Sequence, residues 1–97
     1  MELNETMSRV TKTVTASAEG YDLTATAVIE NGKIVNMNGR IESAGHVDNG
    51  MTVRFESYRS DDNLVTAYYN FTKDDRHIVD IFNRLIDAVV DAYEVAE

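Results

Sequence analysis

The chain has 97 residues, 43% of them hydrophobic and none of them cysteine or proline, enough for one packed core and too few for two. The lack of cysteine excludes disulfides and thiolate metal sites, and no apolar run nears the ~20 residues that a membrane span needs. Seventeen acidic against nine basic residues leave a net charge of −8. That charge argues against direct nucleic-acid binding, whose affinity rests on Lys and Arg, and against an anionic membrane surface.

The start, Met1-Glu2-Leu3-Asn4-Glu5-Thr6, is acidic and has neither a basic segment nor an apolar run. It is expected to fray, to be no secretory signal, and to leave the protein in the cytoplasm. From residue 9 to residue 71 the pattern becomes short alternating runs divided by turn residues, as in a meander of strands. In Arg9–Ala18 one face holds Val10, Val14, Ala16 and Ala18 and the other Thr11, Thr13, Thr15 and Ser17. Lys12 breaks the apolar face, which places this run near a sheet edge where its stem reaches water. A two-residue turn at Glu19-Gly20 pairs Ala18 with Tyr21, Ala16 with Leu23 and Val14 with Ala25. The second run continues that face through Ala27 and Ile29.

Asn31-Gly32 admits two registers. A two-residue turn pairs Glu30 with Lys33, whereas a three-residue loop pairs Ile29 with Lys33, Ala27 with Val35, Ala25 with Met37 and Tyr21 with Ile41. A slip of one residue reverses every side chain, and apolar matching selects the three-residue loop. The same reasoning at Asp48-Asn49-Gly50 pairs Val47 with Met51, Gly45 with Val53 and Ser43 with Phe55. Met51, Val53 and Phe55 then point inward along a strand from Met51 to Ser57. Ser60-Asp61-Asp62-Asn63 is a polar turn, and Leu64 to Phe71 is the last strand, with Val65, Ala67, Tyr69 and Phe71 facing in.

From Asp74 the period changes to that of a helix. At about 100° per residue, Ile78, Val79, Ile81, Phe82, Leu85, Ile86, Val89, Val90, Tyr93 and Val95 lie on one apolar arc of roughly 220°. Thr72 and Asp75 match a capping box at its start. The expected fold is a single α+β domain over residues 1–97: a five-stranded antiparallel meander sheet over 9–71 and a C-terminal α-helix over 73–96 packed on one face, βββββα. Ala16, Ala18, Ala25, Ala27, Gly39 and Ser43 make a small-residue bed under the helix.

Motifs for chemistry are few. His77 stands beside Asp74 and Asp75, an arrangement read as helix capping, since no second histidine stands four residues away as a metal pair requires. His46 is read as a solvated strand-end residue. Gly20, Gly32 and Gly50 each precede a strand, so they serve turns and not phosphate loops. No catalytic, cofactor or metal residue is assigned. Arg40, Arg54, Tyr58 and Tyr68 are expected on the outward sheet face, and Tyr and Arg are enriched at binding hot spots. Asp80, Asp87, Asp91 and Glu94, with Arg84 between, form a polar helix stripe read as solvated, with Asp80 and Arg84 as an i, i+4 pair.

The apolar arc is wider than the stripe of somewhat over ~100° that one layer covers, so Val79, Val90 and Val95 are expected either to contact a second chain or to be covered within one chain by a strongly cupped sheet. The reading is a small acidic, non-catalytic binding or assembly module that takes a protein partner or a second copy of itself, without direct nucleic-acid or membrane binding. Its alternatives are an acidic nucleic-acid mimic acting as an inhibitor, and a carrier or enzyme with a cavity between helix and sheet.

Overall fold

The computed structural model of the chain describes residues 1, 3, 8–42, 47–48 and 51–94, with residues 47, 48, 51 and 74 described by backbone alone. The strands are β1 (Arg9–Ala18), β2 (Tyr21–Glu30), β3 (Lys33–Ile41), β4 (Val47–Asp48), β5 (Met51–Thr52), β6 (Arg54–Ser60) and β7 (Asn63–Tyr69). Five of them form one antiparallel sheet in the order β1-β2-β3-β6-β7, while β4 and β5 pair as a separate ribbon. A single 3₁₀ turn over Lys73–Asp75 leads into the helix α1 (Arg76–Tyr93), which lies across one face. The expected βββββα architecture is therefore the architecture observed. Within 73–96 the α-helix proper is shorter than expected, and residues 95–97 lie outside the described set. So do residues 2 and 4–6 of the segment expected to fray. No helix among the described residues is long and apolar enough to cross a membrane.

The first hairpin follows the sequence closely. Glu19 (φ 52°) and Gly20 (φ 84°) form a turn of the primed kind, whose twist matches that of its strands. Ala18 pairs with Tyr21, Ala16 with Leu23 and Val14 with Ala25. β1 is an edge strand, and Lys12 sits on its inner side with its ammonium 5.9 Å from the Tyr93 ring centroid.

The second hairpin differs from expectation. Asn31 (φ 52°) and Gly32 (φ 81°) make a two-residue turn that pairs Glu30 with Lys33. A bulge then shifts the register, so that Ile29 faces Ile34 while Val28 faces Asn36. Val35 is the extra residue. Both demands are met in this way: the favoured primed turn is kept, and one inserted residue restores apolar pairing. Ala27 faces Met37 instead of Val35, and Leu23 instead of Tyr21 faces Ile41. Ile34 becomes a core residue with 0% exposure, while Val35 is only half-buried.

Asp48 pairs with Met51 and Val47 with Thr52, so this connection too spans two residues, not the expected three. Gly39 stands opposite Phe55, the place expected for Ser43, and the Ile41 amide donates to the Val53 carbonyl at 3.2 Å. Ser43, Gly45 and Gly50 lie outside the described residues.

The last strand is reversed relative to its expected faces. Ser60 pairs with Asn63 across Asp61-Asp62, which carries the inward parity of Phe55, Ser57 and Arg59 over to Tyr68, Thr66 and Leu64. Val65, Ala67 and Tyr69 face outward. Phe71 still packs against the core, because Asn70 adopts φ 66° and breaks the two-residue alternation that links it to Tyr69. Ser57, buried, shares a 2.7 Å hydrogen bond with Thr66 on the inner face.

Between the layers, Leu23, Ala25, Ala27, Met37 and Ile41 meet Ile78, Ile81, Phe82, Leu85 and Val89. The ring of Phe55 lies 4.9 Å from that of Phe82, and Phe71 meets Phe82 edge-on at 5.9 Å. The room left by Gly39 is taken by Phe55: a Cβ at Gly39 would sit 2.3 Å from Phe55 Cε1. At the helix start, Asp75 accepts hydrogen bonds from the Thr72 amide at 3.2 Å and the Thr72 hydroxyl at 3.0 Å.

Arg59 and Glu94 join the far end of the helix to the sheet. They form an ion pair with both side chains only 18% exposed. The Ile34 amide donates to Glu94 Oε1 at 3.1 Å, and Arg59 Nε donates to the Ile34 carbonyl at 2.6 Å. Pairing of β3 with β6 stops at Asn36–Tyr58, so on that side Ile34 has no strand partner. The ion pair replaces one. Glu94 is thus turned in to the sheet and is not part of a solvated stripe, and Arg84 reaches Glu19 at 4.0 Å across the first turn.

Candidate interaction surface

Among the described residues α1 covers the inner face of the sheet, and the strand register fixes what the outer face displays. Arg40, Arg54 and Tyr69 form one row across β3, β6 and β7. Asn38, Glu56 and Ala67 form the next, and Asn36, Tyr58 and Val65 the one after. Tyr58 is 55% exposed and its cross-strand neighbour Val65 is 40% exposed.

Arg40 and Arg54 face each other directly, an unfavourable like-charge pair on its own. Each is held by a glutamate two residues on, Glu56 on the same face of β6 and Glu42 just past the end of β3. Arg40 Nε lies 2.6 Å from Glu42 Oε1 and Arg54 Nη1 lies 2.6 Å from Glu56 Oε1. The Arg54 guanidinium also stands 4.1 Å from the Tyr69 ring centroid, where the ring quadrupole attracts it. The result is a preordered patch with two positive and two negative side chains, in a chain of net charge −8. The excess acid lies elsewhere, including Asp80, Asp87 and Asp91 on the exposed side of α1 and the Asp61-Asp62 turn.

Of the residues expected to form the patch, Arg40, Arg54 and Tyr58 come together and Tyr68 does not. Tyr68 faces the helix and donates to Asn83 Oδ1 at 2.5 Å. Tyr69 takes its place. The signal that finds Tyr69 and Val65 is the two-residue turn at Asp61-Asp62, counted forward from the inward Phe55 instead of backward from Phe71.

Burial raises the pKa of the Tyr68 phenol above its ordinary 10.0, and the carboxylate of Asp80 adds to the rise. The side-chain hydrogen bond with Asn83 offsets part of that rise. A phenol whose folded pKa exceeds its unfolded one stabilises the fold fully below the unfolded pKa and ceases to do so as pH rises through the folded one. Urea midpoints are therefore expected to fall above about pH 10, and the fall to be smaller in Tyr68→Phe.

Val79 and Val90, for which a second chain or a cupped sheet is expected, are both half-buried within the single chain, and Val90 packs against the core. Arc width alone thus ceases to demand a partner at these two. Val95 and His46 lie outside the described residues. His77 is exposed, with Nε2 sharing a 2.9 Å hydrogen bond with the Tyr21 hydroxyl. Among the described residues no three His, Cys, Asp or Glu side chains are grouped to hold a metal.

Two further arrangements bear on the alternatives. Glu19, Glu30, Glu42, Glu56 and Glu94 each lie in an ion pair with an arginine, which thins the supply of free carboxylates for a nucleic-acid mimic. The small-residue bed leaves no room at Gly39, where Phe55 fills the space. Compared with protein-family models, curated proteins and solved structures, the chain matches none.

Proposed function

We propose that this protein is a non-catalytic binding and assembly module of the cytoplasm that docks another protein on the outer face of its sheet. The observation that supports this reading is Arg54 stacked on Tyr69, with exposed Tyr58 and Val65 two rows further along the same face. Tyr supplies a large contact area with few degrees of freedom to freeze, and Tyr and Arg are enriched among the residues that carry most of the energy at interfaces. Internal ion pairing already orders the arginines, which lowers the entropy cost of docking. Charge balance in the patch spares an incoming protein the repulsion or attraction that net charge imposes elsewhere.

A photo-crosslinking residue at position 58 tests this in the cells that make the protein. A discrete crosslinked product is expected from position 58 and none from position 87 on the helix. Adding Arg54→Glu and Tyr69→Ser is expected to abolish the product. Equal products from both positions, or none from position 58, would sink the reading.

A further inference from the structure

We infer that the β1 edge is a second interface, at which two copies of the chain pair antiparallel about a two-fold axis. β1 is ten residues long and has no further strand beside it among the described residues. The primed turn makes Ala18–Tyr21 a hydrogen-bonded pair, so even-numbered residues of β1 bond to β2. The odd-numbered Thr11, Thr13, Thr15 and Ser17 then aim their amides and carbonyls at the open side. Long edges of this kind are usually blunted by proline or inward charge. Here the blunting is slight: Lys12 is the one charged residue on the inner side, and proline is absent.

A second observation lies beneath the edge. Ala16, Ala18 and Leu23 of the sheet and Ile81, Leu85 and Ala88 of the helix line an open, mostly apolar groove, with Arg84 as its one charged wall. Val14, Ala16 and Ala18 face the core but remain only partly buried. A strand added at β1 would place alternate side chains in that groove, so the occupant should carry small or β-branched residues at every second position.

A second copy of β1 meets that requirement, and its chemistry selects one register. Two-fold pairing that exchanges hydrogen bonds between odd residues can set Val14 opposite Val14 of the second copy. Thr13 then meets Thr15, Thr11 meets Ser17, Val10 meets Ala18 and Lys12 meets Ala16. This register overlaps nearly the whole strand, sets valine against valine or alanine on the inner side apart from the two Lys12–Ala16 pairs, whose ammonium groups reach water along their stems, and matches hydroxyls on the outer. It also brings Arg9 of each copy beside Glu19 of the other. Those charges are opposite; within its own chain Arg9 already meets Glu30 at 3.3 Å and Glu19 meets Arg84 at 4.0 Å, and both side chains remain exposed enough to be shared with a second copy. Pairing would join the two sheets into one, with both helices on the same side and both Arg–Tyr patches on the other. The inference does not rest on that patch, whose Arg54 and Tyr69 lie three and four strands away on β6 and β7.

Sedimentation of the full chain and oxidation of a Val14→Cys variant test it together. The chain has no cysteine of its own, and residues facing each other across the axis come within disulfide reach. The wild type is expected to sediment as a dimer and Val14→Cys to oxidise to a covalent dimer with an unchanged circular dichroism spectrum. Thr13→Pro removes an amide on the open side only, so it is expected to keep the fold and sediment as a monomer. Arg9→Glu is expected to weaken the dimer and Arg9→Glu with Glu19→Arg to restore it. A wild-type monomer, or a dimer in which Val14→Cys stays reduced under oxidant, would overturn the inference. Neither result touches the crosslinking from position 58.

Discussion

Replacing Arg59 by Ala is expected to cost about 3 kcal/mol of stability, near the lower end of what is lost when one partner of a buried ion pair is removed. The lower end applies because both side chains keep 18% exposure. Three losses combine, besides the exposed 3.2 Å hydrogen bond that Arg59 Nη1 donates to the Asp62 carbonyl. Glu94 is left without its cation at the C-terminal end of α1, where the helix dipole already disfavours a carboxylate. The Ile34 carbonyl loses its donor at 2.6 Å, and the carboxylate that accepts from the Ile34 amide is no longer held in place. Urea unfolding followed by circular dichroism measures the sum. The informative companion is Arg59→Met with Glu94→Leu. Swapping a buried pair for apolar residues is often neutral, but here it strands the amide and carbonyl of Ile34. The double variant is therefore expected to remain about 1–2 kcal/mol below wild type, the cost of backbone groups left unsatisfied. Full recovery would show that the ion pair does not serve the strand.

Gly39→Ala is expected to cost about 2 kcal/mol, although alanine suits a strand better than glycine. In its favour, a less flexible unfolded chain is worth about 0.4–1 kcal/mol. Against it, the new methyl would lie 2.3 and 2.7 Å from two ring carbons of Phe55 and 3.2 Å from the Thr24 carbonyl. Phe55 is wholly buried between Gly39 and Phe82 and has nowhere to retreat. Overpacking of that kind costs about 1–3 kcal/mol, so strain outweighs the gain. In a Phe55→Leu background the ring is gone and the same substitution is expected to be nearly neutral. The two changes should thus show a coupling of about 1–2 kcal/mol in a double-mutant cycle. Additive losses would mean that the backbone near Thr24, and not the ring, resists the methyl.

The first prediction turns on residues that the sequence leaves inconspicuous, whereas Gly39 and Phe55 are already marked by it as inward-facing. Arg59 follows Tyr58 in a polar stretch, and Glu94 falls on the polar side of a helical wheel, where any acid reads as solvated. Their meeting depends on where β3 and β6 stop pairing, which no local pattern states. The architecture is legible because its signals are local: the turn at Glu19-Gly20, the alternation of Val14, Ala16 and Ala18, and the helical period from Ile78 to Tyr93. Register fails where the alternation itself is interrupted. Val35 is an inserted residue that lets a primed turn coexist with apolar pairing, and Asn70 in a left-handed conformation separates the face of Phe71 from that of Tyr69. The outer patch is accordingly legible at Arg40, Arg54 and Tyr58, which precede Asn70 on securely phased strands. It is misread at Tyr68, where counting backward across Asn70 inverts the face.

The ion pair of Arg59 and Glu94 also bears on the order in which the chain assembles. The first, second and last hairpins of the sheet close across two-residue turns, and such short loops form quickly because little entropy is lost in closing them. The bond from Ile34 to Glu94 spans 60 positions, and the loop it closes cannot form until the helix has landed. The amide of Ile34, though part of a strand, is therefore held by the last element of the chain. The hairpins belong to the fast, local part of folding, while the bulge beside Ile34 is completed only by the slow, long-range closure of the helix onto the sheet.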